Sequence, residues 1–146
     1  MRTLGIDLGT RRVGLAMSDE GAKFATPLDV LEVTSPDQAM GRVLEIVRRE
    51  GVERIVLGLP LNMDDSLGPA AKQTIQWGRK LSADSGKTLV FVDERLSSFE
   101  AEQGIIDRKR AGEKITRKRK KAQLDALAAA GFLQAFLDGK LPPVNV

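Results

Sequence analysis

The sequence predicts an α/β domain, a mixed sheet flanked by helices. Two short stretches with period-two alternation, residues 4–8 and 13–18, stand too close together to be anything but an antiparallel hairpin. Two later stretches, 54–59 and 88–92, are near-continuous apolar runs, which is how strands buried on both faces of a parallel sheet read. Stretches of helical periodicity separate them. A chain of 146 residues has the length for one continuous core and not for two.

In the first strand Leu4, Ile6 and Leu8 point one way and Gly5, Asp7 and Gly9 the other. A carboxylate thus stands between two residues without side chains, which leaves room beside Asp7 for something other than a side chain. An acid opening a turn is the plainer alternative. Thr10, Arg11 and Arg12 make the turn, and the second strand alternates large residues (Val13, Leu15, Met17) with small ones (Gly14, Ala16, Ser18). A third strand is expected over 23–33, irregular or at an edge because of Pro27. Ser35 and Pro36 read as N-cap and first helical residue. Met40, Val43, Leu44, Ile46 and Val47 form that helix's apolar stripe, and Gly51 ends it. After the strand over 54–59 comes a loop, 60–68, and Pro69 opens a helix to about residue 85. The strand over 88–92 runs into Asp93, Glu94 and Arg95. Ser97 and Glu100 fit a capping box for a helix to about residue 109. A basic segment follows, then an Ala- and Leu-rich helix over about 121–137. The domain is expected to span 1–138, with 139–146, which contains Pro142 and Pro143, as a loose tail. The turn after the first strand lacks GxGxxG and leads into a hairpin, and there is no P-loop, so a dinucleotide fold is excluded.

There is no Cys and no His. Thiol nucleophiles, Ser-His-Asp triads, His proton shuttles and zinc sites of the usual N/S type are therefore ruled out. A metal would need oxygen ligands, which suits Mg²⁺ or Mn²⁺. The absence of an export signal, of a membrane-length apolar run and of cysteine points to the cytoplasm. The net charge of +3 conceals an asymmetry: residues 108–121 hold nine Lys/Arg against Glu113 alone, and the remainder has 14 basic and 19 acidic residues. So local an excess favours a polyanionic partner, nucleic acid, over a merely solvated loop.

Asp7, Asp93 and Glu94 lie at or near carboxyl ends of apolar strands, where ligands bind in sheets of this kind. On a helical wheel Asp125 falls among Lys121, Ala122, Ala128, Ala129 and Phe132, the one acid on a small-residue packing face. A charge buried there is costly unless paired or metal-bound, and the alternative is an exposed acid suiting the helix dipole in a first turn. Three carboxylates without His describe a two-metal phosphoryl-transfer centre, and the basic segment would hold the phosphate backbone. The space left by Gly5 and Gly9 would then take a hydrated metal with a phosphodiester above it.

The stretch Gly5-Ile6-Asp7-Leu8-Gly9-Thr10-Arg11-Arg12-Val13-Gly14, with Leu15 to Asp19 after it, resembles the opening motif of the YqgF/RuvX family. These are RuvC-related, ribonuclease H-like proteins described as pre-16S rRNA nucleases or Holliday junction resolvases. Residues 56–62, 93–97 and 121–129 resemble three further family motifs in the same order. The resemblance implies a ribonuclease H-like fold with a five-stranded sheet whose first three strands are antiparallel. It implies a cytoplasmic nuclease dependent on Mg²⁺ or Mn²⁺ that trims the 5′ end of 16S rRNA precursor. The family's active-site acids fall on Asp7, Glu94 and Asp125, which would be catalytic residues and metal ligands, with Asp93 at most an outer-sphere helper. Arg11, Arg12, Arg95, Arg117, Lys118 and Lys121 would contact substrate phosphates. Asp65 stands where many relatives have Gly, and Ser98 where Thr is usual. Resolution of branched DNA is an alternative, which would favour a two-fold homodimer. A non-catalytic nucleic-acid-binding factor is another. Asp7 to Thr10 also resembles the first phosphate loop of sugar kinases and chaperone-type ATPases, but those need a second copy of the fold.

Overall fold

The computed structural model describes residues 1–96 and 117–146. Strands β1 (Thr3–Leu8) and β2 (Arg12–Ser18) form the hairpin, with Asp7 opposite Gly14. The Gly9 N–H closes its turn on the Arg12 carbonyl at 2.9 Å. Strand β3 (Ala25–Glu32) pairs antiparallel with β2 at the outer edge. Leu15 faces Asp29 and Ala16 faces Pro27, so Leu28 is skipped. Pro27, which has no N–H to give, thus sits at an irregular point of an edge strand, as its chemistry requires.

Helix α1 (Pro36–Arg49) begins as expected: the Ser35 side chain accepts the Gln38 N–H at 3.1 Å. Met40, Val43, Ile46 and Val47 are buried; Leu44 packs only at the margin. Strand β4 (Arg54–Leu59) lies parallel to β1, and after helix α2 (Pro69–Ser85) strand β5 (Thr88–Asp93) lies parallel to β4. The sheet order is β3-β2-β1-β4-β5. A single 3₁₀ turn, Glu94–Leu96, follows β5, and helix α3 spans Arg117–Leu137. The helix expected over 97–109, Ser98 with it, lies outside the described residues.

Helices α1 and α2 cover one face of the sheet and α3 the other. The first face is bulky: Leu4, Ile6, Val13, Leu15, Ile55, Leu57 and Phe91 pack against the α1 and α2 stripes. The second is small. Ala16, Val56 and Val92 meet Ala129, Phe132 and Leu133 of α3. Phe132 and Leu133 are fully buried, each worth about 1.5–3 kcal/mol of transfer free energy.

Two expectations change. Helix α3 begins at Arg117, so Asp125 stands in its third turn and not its first. The first-turn explanation of that acid therefore falls. The C-terminal segment is not loose. Leu141 is buried in the second core cluster, and the Val144 N–H donates to the Phe91 carbonyl at 2.7 Å, tying down the free edge of β5.

Candidate active site

Asp7 and Glu94 come from strands that are not neighbours. Along β5 the apolar side chains alternate, Phe91 toward α1 and α2 and Val92 toward α3. Asp93 follows Phe91, and Glu94, where the strand turns 3₁₀, falls on the α3 side with Asp7. Between them lies β4, and the residue there is Gly58. A Cβ on Gly58 would lie 2.9 Å from Glu94 Oε2 and 2.9 Å from the Phe132 ring. The missing side chain is what lets Glu94 cross β4 and hydrogen-bond the Asp7 carboxyl.

Asp125 arrives from above on α3, and two more glycines admit the helix. A Cβ on Gly14 would lie 2.1 Å from the Asp125 carbonyl oxygen, and one on Gly5 would lie 3.0 Å from Leu133 Cβ and 3.1 Å from the Ala129 oxygen. Helix α3 therefore rests directly on the strands that carry Asp7. This corrects one expectation: the space at Gly5 holds helix backbone and Leu133, not a hydrated metal. Gly9 serves the turn, where a Cβ would stand 2.6 Å from the Arg12 carbonyl oxygen.

The electrostatics follow from this crowding. Burial raises the Asp7 carboxyl above its ordinary value; the hydrogen bond from Glu94 works against this, and the nearby charge of Asp125 adds to it. Glu94 is pushed up to about 8, first by burial, then by the charge of Asp7, their mutual hydrogen bond and the charge of Asp93. Two buried carboxylates in contact cannot both ionise cheaply, so at neutral pH they hold a proton between them. Asp125 is turned elsewhere: Arg12 Nε donates to its Oδ2 at 2.6 Å. Accordingly, among the described residues no three acidic side chains stand close enough to hold one cation as they are. The donor set nevertheless fits a hard divalent cation. It is all oxygen and partly buried, and its third carboxylate, Asp125, is held by Arg12.

The expected phosphate contacts divide. Arg11 is exposed in the hairpin turn and Arg12 is given to Asp125. Arg95 is fully engaged with protein: Nε donates to both Asp93 oxygens at 2.9 and 3.1 Å, Nη1 to the Asn62 carbonyl at 2.7 Å, and Nη2 to Asp93 and Asp65. In these contacts Arg95 is a clamp between β5 and the 60–68 loop. Asp93, its pKa lowered chiefly by that hydrogen bond, is the other half of the clamp. Arg117, Lys118 and Lys121 belong to the first two turns of α3, ahead of Asp125 along the chain.

The residues that sequence reasoning missed are Gly58, as the gap through which Glu94 reaches, and Gly14, as the seat of Asp125. A glycine inside a buried strand is a signal of close approach, and Gly58 carries it.

Comparison with known proteins places the chain. The family model described as RuvX: Holliday junction resolvase matches residues 1–139. A protein of Acidiphilium cryptum named "Putative pre-16S rRNA nuclease" is 35% identical over 137 residues, covering 94% of this chain and 84% of its own. One of the same name from Anaeromyxobacter sp. is 40% identical over 142 residues, 97% of this chain and all of its own. In structure, Thermus thermophilus RuvC superposes with a TM-score of 0.60 at 20% identity, covering 99% of this chain and 100% of that one. The same protein in complex with Holliday junction substrate gives 0.56 at 17% identity, with 99% of each chain covered. At these identities the likeness concerns the fold: the RuvC-type, ribonuclease H-like sheet and helices.

Proposed function

The chain belongs to the RuvX family, and from that premise we propose that it is a nuclease processing the 5′ end of 16S rRNA precursor, with Asp7, Glu94 and Asp125 as ligands of Mg²⁺ or Mn²⁺ in a two-metal site. The relatives' printed names support the substrate. One observation carries the mechanism: Asp7 and Glu94 are hydrogen-bonded in a buried setting with a third carboxylate beside them. Such crowding is unfavourable by itself and is relieved by divalent charge.

When bound, the cations supply Lewis-acid charge that activates water and steadies the leaving oxygen of an in-line displacement. The chain's own residues do the rest. Asp7 and Glu94 give up the proton they share, which leaves acceptor oxygens at the strand ends. Phe132 and Gly58 keep Glu94 aimed across β4. Arg11, Arg12, Arg117, Lys118 and Lys121 attract the polyanion and position its backbone, a contribution that weakens with salt. The Arg95 clamp fixes the 60–68 loop beside the carboxylates.

The test is cleavage of a precursor rRNA 5′ segment in Mg²⁺ and in Mn²⁺. Asp7→Asn should abolish cleavage while substrate binding survives. Unchanged cleavage would exclude Asp7 from the chemistry. Salt-sensitive binding without turnover in the native protein would reduce it to a binding factor. The family model's description favours a second reading, resolution of branched DNA. A four-way junction run in parallel, with the oligomeric state measured alongside, separates the two, since symmetric incision of two strands calls for a two-fold dimer.

A further inference from the structure

The contact between Arg12 and Asp125 is unusual company for a metal ligand, and its surroundings give it a purpose. The backbone around it is fixed. Gly9 N–H holds the Arg12 carbonyl, Val33 N–H holds the Arg11 carbonyl at 2.9 Å, and Arg12 is paired with Glu32 in the sheet. Only the Arg12 side chain can change place, and 39% of it is exposed to solvent. On its Asp125 side lies a hollow of about 240 Å³ bordered by Gly9, Thr10, Arg11 and Asp125. On its other side lies a groove of about 650 Å³ bordered by Arg11, Glu32, Val33, Thr34 and Gln38. Arg12 lines both. With Arg11 and Arg12 against the single acid Glu32, the groove carries net positive charge and has room for a phosphodiester.

We propose that Arg12 has two stations: it neutralises Asp125 until a divalent cation takes that carboxylate, and then it moves to a substrate phosphate in the adjoining groove. This rests on the metal-dependent reading above and adds to it a coupling. Arg12 and the metal compete for Asp125, so whatever draws Arg12 into the groove tightens metal binding. By linkage, metal tightens phosphate binding by the same factor. The protein thereby loads cation and nucleic acid together, and without substrate it leaves its third ligand covered.

The experiment is Mn²⁺ binding to the metal-free, full-length protein, followed by the electron paramagnetic resonance of free Mn²⁺. Arg12→Gln should bind Mn²⁺ about two- to fivefold tighter than native protein, the range expected for losing a partly exposed ion pair as competitor. Arg12→Lys, which retains the charge, should return toward native affinity. Dimethyl phosphate, a minimal phosphodiester, should tighten Mn²⁺ binding to native protein and have no such effect on Arg12→Gln. Thermal melts confirm that each variant is folded. Equal or weaker Mn²⁺ binding by folded Arg12→Gln would overturn the two-station proposal and leave the metal site standing. Failure of native protein and Arg12→Gln alike to bind Mn²⁺ would overturn both.

Discussion

Gly14→Ala tests the placement of α3 most directly. The added Cβ would lie 2.1 Å from the Asp125 carbonyl oxygen and 2.3 Å from its carbonyl carbon. Ordinary contact needs about 3.4 Å or more, so strand and helix must separate by over an ångström. Both sides of the clash are backbone, and no side chain can rotate away. Overpacking of this kind costs about 1–3 kcal/mol, and here the upper end applies, roughly 3 kcal/mol. In a chain of this length that lowers the melting temperature by about 6–12 °C. Gly41 is the control: it is exposed in the middle of α1, and a Cβ added there would meet nothing within 4 Å. Gly41→Ala should therefore stabilise, by about 0.5–1 kcal/mol, through the helix preference of alanine. Urea unfolding of the two variants should give opposite signs. Nuclease activity should fall about a hundredfold in Gly14→Ala, since a 1 Å displacement of a reacting group is enough for that, and stay native in Gly41→Ala. Native stability and activity in Gly14→Ala would refute the seating of α3 on β2.

Two further outcomes follow from the carboxylates and the loop. Glu94 titrates near 8 in the folded protein, above its ordinary value of 4.5. Its contribution to stability is therefore fully present below about pH 4.5 and is lost as pH rises toward 8. The folded state keeps a proton over that window that the unfolded chain releases. In metal-free protein the difference in urea stability between native and Glu94→Gln should change by up to about 1.4 kcal/mol per pH unit between pH 5 and 8. A pH-independent difference would show that Asp7 and Glu94 do not share a proton. Arg95→Ala removes the clamp on Asn62 and Asp65, the latter held at a φ of +67°. Limited proteolysis within 60–68 should accelerate about threefold or more, and an unchanged rate would show that the loop is held by other contacts.

Features with a local cause are legible in the sequence. Ser35 caps its helix through an atom three residues away, and Pro27 marks an irregular edge strand because it lacks an N–H. The runs at 54–59 and 88–92 are buried strands because sheet burial on both faces demands apolar side chains throughout. Features that depend on which strands become neighbours are not legible. Gly58 matters because β4 separates β1 from β5, and nothing in residues 54–59 announces that order. The space beside Asp7 is visible in the alternation of the first strand, but its occupant comes from a helix more than a hundred residues later. Arg95 reads as a cation available for phosphate until the fold brings Asp65 beside it. Asp65 stands at a positive φ, a conformation that suits Gly and that Asp is among the residues to tolerate.

The two faces of the sheet divide the work, and this explains why so much of the site rests on absent side chains. The α1/α2 face is packed with Leu, Ile, Val, Met and Phe, and carries most of the apolar burial. The α3 face trades that burial for proximity. Gly5, Gly14 and Gly58 each give up a side chain's worth of packing; in return the α3 backbone closes on the strands at Gly5 and Gly14, and Glu94 and Phe132 close over Gly58. Asp7 and Glu94 can then meet across β4, with Asp125 near enough for its charge to act on Asp7, although the three come from a first strand, a turn after the last strand and a helix. The same closeness desolvates Asp7 and Glu94 and raises the charge cost of the site, which Arg12 offsets at Asp125 and a shared proton offsets at Asp7 and Glu94. An unsatisfied demand for positive charge is thus built into the fold where Asp7 and Glu94 are buried together. On the proposed reading a divalent cation would meet that demand, and would do so best with a phosphate there to receive the displaced arginine.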